Sequence, residues 1–234
     1  MLYNFIIYFL LFLTYSIMGW IMEVSLGLIR NGKFVNRGFL IGPYCPIYGC
    51  GVLLLTFLLE KYTNDIVATF IFSILICGTL EYFTSFIMEK IFHARWWDYS
   101  QRKFNINGRI CLETLIPFGI MGCSIIYFAN PFILGILYKI PELWIYIISL
   151  PIFIWFVVDN IISFKIILNL KEISQNFKDN TEEISAKVRK IISSKSVLHR
   201  RLVNAYPLIQ GKVRFKEWII KGKEKVNKIL NEKL

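Results

Sequence analysis

The sequence predicts an all-α, polytopic membrane protein: five transmembrane helices, N-terminus outside and C-terminus inside, followed by a basic cytoplasmic helical tail. Three observations predict it. Hydrophobic residues make up 56% and aromatic residues 16% of the 234, too apolar for a soluble domain with a polar surface. The apolar residues gather in five continuous runs, at about 2–29, 43–59, 66–92, 110–137 and 143–168. Continuous runs near the ~20 residues a helix needs to cross the hydrocarbon specify helices rather than alternating barrel strands. The cations are also unevenly placed. Arg30, Lys33 and Arg37 fall in the first loop and Lys90, Arg95, Arg102, Lys103 and Arg109 around the third, against only Lys61 and Lys139 in the second and fourth. Short loops rich in Lys and Arg stay in the cytoplasm, which sets the orientation.

The first run has no Lys or Arg before it and is too long for the apolar part of a signal peptide, so it is expected to be a retained helix with Glu23 near its inner end. The segment NGKFVNRGFLIGPYCPIYGCG follows. Its glycines, with Pro43 and Pro46, should delay the next helix until about Ile47. The segment either folds over the cytoplasmic mouth or is a plain glycine-rich turn with proline in the first turn of a helix. In the third run Gly78, Glu81, Ser85 and Glu89 recur at three- and four-residue steps, which stacks them on one side of a helix facing the bundle.

The stretch FHARWWDYSQRKFNINGRICLE, residues 92–113, comes next. His93, Arg95, Trp96, Trp97, Asp98, Asn105, Asn107 and Arg109 make it a candidate lid at the cytoplasmic interface. Asn107 and Gly108 suggest a tight turn pointing Arg109 back toward Glu113, one helical turn away. Tyr44, Trp96, Trp97 and Tyr99 read as an inner aromatic belt, and Tyr3, Tyr62, Tyr138 and Trp144 as an outer one. The fourth run begins at Glu113, with Pro117 one turn later freeing a carbonyl to line a polar cavity. The fifth carries Asp159 and Asn160 as a polar pair. Residues 1–170 are thus read as a membrane bundle and 171–234 as a second unit.

That tail holds sixteen Lys and Arg against seven Asp and Glu, nine of the eleven net positive charges of the chain. Ile184, Val188, Ile191, Leu198 and Leu202 form one amphipathic stripe, and Val213, Trp218, Ile219, Val226 and Ile229 another. Binding to an anionic membrane surface is the simplest account. Partner binding or dimerisation comes next, and no nucleic-acid partner is expected, because no recognition motif accompanies the charge. The five cysteines form no CxxC pair and have no spaced His partners, so neither a disulfide framework nor a metal site is expected.

Charged side chains cost several kcal/mol in hydrocarbon, so acids within apolar runs are candidate sites. Glu23, Glu81, Glu89, Glu113 and Asp159 all fall in the cytoplasmic half by this topology. Arg37, Arg95 and Arg109 are candidate contacts for the anionic side of a ligand. Glu23, Glu89 and Glu113 lie close enough to the interface to reach water or pair with Arg30, Arg37 or Arg109 for folding alone. Glu81 lies well over one turn from its helix end, which favours a functional or tightly paired role.

The stretches YSIMGWIMEV (15–24), KFVNRGFLIGPYCPIYG (33–49), LEYFTSFIMEKIFHARWWDYS (80–100), FNINGRICLE (104–113) and HRRLVNAYPLI in the tail resemble the bacterial family of multi-pass membrane proteins termed "putative ABC-transporter permease, type IV, CmpB-like". The resemblance implies a permease half in the bacterial cytoplasmic membrane working with a separate ATPase. The chain itself has no GxxxxGK[ST] phosphate loop and so is not expected to hydrolyse ATP. It also lacks the EAA-type loop of importer permeases. No cofactor is expected, and five helices suit half of a homodimeric pore.

Three functions stay open. The first is transport of a charged or zwitterionic solute or lipid headgroup through a polar cavity on the cytoplasmic side. The second is a membrane scaffold or adaptor whose tail recruits lipids or partners. The third is an enzyme at the inner interface using His93 or a carboxylate as base. No catalytic motif supports the last, and no catalytic residue is assigned.

Overall fold

The computed structural model describes residues 1–32, 36, 38, 40–92 and 96–176, with side chains of 30, 31, 92 and 167–176 left aside. His93, Arg95, Arg37 and nearly all of the tail, with both of its stripes, lie outside the described residues. The described chain is mostly helical, and its helices follow the apolar runs closely. Helix α1 spans Leu2–Asn31, α2 Pro46–Leu58, α3 Ile66–Phe92, α4 Leu112–Ser124, α5 Asn130–Leu137 and α6 Glu142–Asn176. A two-stranded hairpin, β1 (Asn105–Ile106) and β2 (Ile110–Cys111), closes the loop before α4.

Four stretches are long and apolar enough to cross a membrane: Leu2–Ile29, Ile66–Ile91, Leu112–Leu137 and Glu142–Ile166. The remaining run forms the 13-residue α2, ~20 Å long at ~1.5 Å per residue. It is short because Pro43 and Pro46 hold the chain before it out of a helix, with Pro46 in the first turn. That preceding segment is not a surface loop. Leu40, Tyr44 and Cys45 are buried, and Cys45 N–H donates to the Ser16 carbonyl of α1 at 2.8 Å. Irregular backbone at such a place needs its polar groups met by protein.

The third long stretch is broken by a π-helical turn at Ile125–Ala129. Pro131, in the first turn of α5, has no N–H and its ring displaces the carbonyl four residues back. A wider turn absorbs this, and Asn130 N–H bonds Ile125 O instead. Asn130 is buried and donates its Nδ2 to Thr56 Oγ1 of α2 at 2.7 Å.

Helix α2 packs between α1 and α3, α3 lies along α4, and α6 meets α1. Phe9 and Phe12 of α1 interlock with Phe153 and Phe156 of α6 at ring separations of 5.3 to 6.2 Å. Gly122 brings α4 close to α3, since a Cβ there would overlap the Ser73 side chain. The outer faces carry Ile71, Leu75, Phe83, Ile87, Phe128, Phe132, Leu150 and Trp155, all exposed, as suits a surface bathed in lipid tails.

Candidate functional site

Two polar clusters organise the acids that the sequence singles out. The first is built on Glu81, midway along α3. Four-residue steps from Thr69 bring Ser73, Cys77, Glu81, Ser85 and Glu89 onto the inner side of the helix, while Ile71, Leu75, Phe83 and Ile87 face outward. Glu81 is 8% exposed. Its Oε1 accepts from the Tyr99 hydroxyl at 3.2 Å, and its Oε2 makes no hydrogen bond. The Thr114 hydroxyl of α4 stands beside the carboxylate, but donates to Cys111 O at 2.9 Å. Glu23 of α1 is within electrostatic range and accepts from Tyr48 of α2 at 2.7 Å. Burial, with Glu81 alongside, raises the Tyr99 phenol above the ordinary tyrosine range, so it stays a donor.

One turn inward, Arg109 Nη1 bonds Glu89 Oε2 at 2.7 Å and reaches Ser85 Oγ at 3.5 Å. Its guanidinium lies 5.7 Å from the Tyr82 ring and 5.3 Å from that of Phe86. Planar stacking of this kind suits arginine rather than lysine. The hairpin places it there. Asn107 and Gly108 have φ of 53° and 67°, and Arg109 N–H closes the turn on Ile106 O at 3.0 Å, the left-handed geometry for which Asn-Gly is the favoured pair. Asn107 Nδ2 also donates to Tyr82 at 2.9 Å.

The predicted turn therefore exists, but the expectation that it directs Arg109 to Glu113 is corrected. Glu113 pairs with Arg102 at 3.0 Å, on a surface where both side chains are more than half exposed. The turn faces α3, and Glu89 is the acid on that helix at its height. The aromatic reading also changes. Trp97 Nε1 donates to Arg109 O at 3.0 Å, and Tyr99 N–H to Gly108 O at 2.8 Å. Both pin the hairpin to residues 96–100. Trp96 is buried, while Asp98 is exposed and caps the next turn through Ser100 N–H at 2.9 Å.

The second cluster is built on Asp159 of α6. Oδ1 accepts from Ile41 N–H at 3.1 Å and from Ser163 Oγ at 3.0 Å. Oδ2 accepts from Gly42 N–H at 2.8 Å and from the Tyr44 hydroxyl. The carboxylate is thus occupied by the chain's own glycine-proline segment. Asn36 assists, its Oδ1 accepting from Trp20 Nε1 at 2.7 Å and Gly38 N–H at 3.0 Å. Asn160 does not act as a pair with Asp159; its Nδ2 returns to Phe156 O on its own helix at 2.7 Å.

Tyr44, Tyr48, Tyr99 and Ser73 are the functional candidates that sequence reasoning passed over. Only Ser73 left a signal, its four-residue spacing from Cys77 and Glu81. No group of three or more His, Cys, Asp and Glu suited to a metal occurs among the described residues.

Several long apolar helices around a buried acidic and tyrosine cluster define a multi-pass membrane protein of transporter type. The chain belongs to the family described as "Putative ABC-transporter type IV", whose model matches residues 10–164. That match takes in both clusters. No curated protein and no solved structure shows significant similarity to the chain.

Proposed function

We propose that the chain is the membrane subunit of a permease for a charged or zwitterionic solute or a lipid headgroup, with Glu81 contacting the cargo or a coupling ion. The observation that carries this reading is the Glu81 carboxylate: more than nine-tenths buried within a spanning helix, with one oxygen lacking a hydrogen bond. An ionisable group in that position is costly unless it has a task. Glu23, Glu89 and Arg109 flank it, and Arg37 and Arg95 would extend the anion-binding side, with Glu113 and Asp159 at its rim. Family membership supports transport. In this reading α2 and the buried segment before it count as a fifth crossing, N-out and C-in, in the bacterial cytoplasmic membrane. Residues 171–234 form a basic cytoplasmic unit on the lipid surface, a second copy completes the pore, and a separate ATPase supplies energy. The chain catalyses nothing itself.

The test compares cells holding wild type, Glu81→Gln or no protein by profiling charged solutes and lipids on both sides of the membrane. Wild type should redistribute at least one species and Glu81→Gln should not. Identical profiles for wild type and Glu81→Gln, with both proteins folded in the membrane, would sink the reading. One observation favours a scaffold instead: Asp159, Arg109 and Glu89 are occupied by bonds within the chain. A scaffold would lose function on removal of residues 171–234 and keep it in Glu81→Gln.

A further inference from the structure

The inner side of α3 is polar or small along the whole span. Thr69, Ser73, Cys77, Glu81, Ser85 and Glu89 follow one another at four-residue steps, and Thr69 and Ser73 are fully buried. From Thr69 to Glu89 the rise is ~30 Å at ~1.5 Å per residue, the thickness of the hydrocarbon core. Small residues at such spacing serve close helix packing, and Gly122 against Ser73 does so here. Packing accounts for neither the glutamate in the file nor two of its polar atoms. Ser73 Oγ and Glu81 Oε2 are both buried and without a hydrogen bond. Close packing in lipid selects against unmet polar groups.

Both ends of the file reach polar groups outside the helix. Thr69 Oγ1 bonds Tyr62 O at 3.0 Å and is 3.1 Å from the Tyr127 hydroxyl. At the other end Ser85 and Glu89 meet Arg109. Successive members stand ~6 Å apart along the axis, about two hydrogen-bond lengths, so that one water can join each pair. A metal cation needs its oxygens within ~2.6 Å of a common centre, which this spacing does not give.

We infer that the polar file of α3 is a proton path and that Glu81 Oε2 is its acceptor. The inference rests on the transport reading and names the proton as its coupling ion. In the step, an O–H bond to a file water breaks, an O–H bond to Glu81 Oε2 forms, and the charge of the carboxylate is neutralised. Release reverses the step, and no electron moves. The groups facing Glu81 are Glu23 from α1, with Tyr48 of α2 bonded to it, Tyr99 from the loop, the Thr114 hydroxyl from α4, and Cys77 on its own helix. Arg109 on Glu89 closes the inner end.

The full chain reconstituted in lipid is followed by infrared difference spectroscopy between acid and alkaline buffer, in H2O and D2O. Wild type should show a protonated-carboxyl band that follows bulk pH, exchanges in D2O and is lost in Glu81→Gln. Ser73→Ala, which removes a hydroxyl without adding volume, should keep the band and slow its exchange. Absence of a pH-dependent band removed by Glu81→Gln overturns the inference, as does equal exchange in Ser73→Ala. Loss of the band on adding Na+ at constant pH also overturns it, assigning the site to a cation. Redistribution of cargo that depends on Glu81, without such a band, would leave the transport reading standing and remove only the proton.

Discussion

Replacing Asp159 with asparagine tests whether a single carboxylate holds the segment before α2 in the protein. The substitution keeps shape and one acceptor oxygen but turns an NH2 toward two donors. These are either Ile41 N–H with Ser163 Oγ, or Gly42 N–H with the Tyr44 hydroxyl. Asp159 and Tyr44 are buried. A buried donor left unmet costs about 1–3 kcal/mol, so two cost about 2–6 kcal/mol. At about 1.4 kcal/mol per factor of ten, even the low end raises the open population of this segment about thirtyfold. Cys45 reports on it directly, since its thiol is 8% exposed and it follows Tyr44 in the chain. Maleimide labelling of Cys45, with exposed Cys50 as internal reference, should accelerate by that factor where opening and closing outpace the reagent. Labelling of Cys45 within about threefold of wild type, with Cys50 unchanged and the protein folded, would refute the reasoning.

Other substitutions separate strong contacts from weak ones, each read by thermal unfolding in mild detergent. Arg109→Met leaves Glu89 facing a buried apolar surface and should cost about 3 kcal/mol, near the lower bound for breaking a buried pair because Glu89 keeps some exposure. Adding Glu89→Met should recover part of this, and no recovery would deny the pairing. Glu113→Gln should change stability by less than about 1 kcal/mol, since its pair with Arg102 is solvated; a loss of several kcal/mol would contradict that. Gly122→Ala should cost about 1–3 kcal/mol by overlap with Ser73. Gly135→Ala, with open space at its Cβ position, should gain about 0.5–1 kcal/mol from helix propensity. The reverse order would refute the packing of α3 on α4.

The helices were legible because lipid imposes one simple rule, a continuous apolar run, and the run at 66–92 coincides with α3. The Asn107-Gly108 turn was legible for a local reason, its positive φ. Partner choice was not. Helix phase says which residues share a face, but not which neighbour a loop folds against. Arg109 therefore looked paired with Glu113 by sequence distance, whereas the hairpin carries it to Glu89 on another helix. Asp159 looked like a site because burial of a charge is visible in a sequence, while the backbone N–H groups of Ile41 and Gly42 that satisfy it are not. The tyrosines on Glu23 and Glu81 were hidden similarly. An interfacial tyrosine and one that reaches a buried acid have the same sequence appearance.

The π-helical turn at Ile125–Ala129 acts as a phase shifter. One residue more than an α-turn holds lets α4 present Gly119 and Gly122 to α3 while α5 presents Asn130 to Thr56. Removing any single residue within the turn would shorten the span by little, yet rotate everything after it by ~100°. Asn130 would then leave Thr56, and Ile133 and Leu134 would leave the Tyr15 cluster against which they pack. This stretch therefore tolerates exchanges of apolar side chains far better than a change in their number.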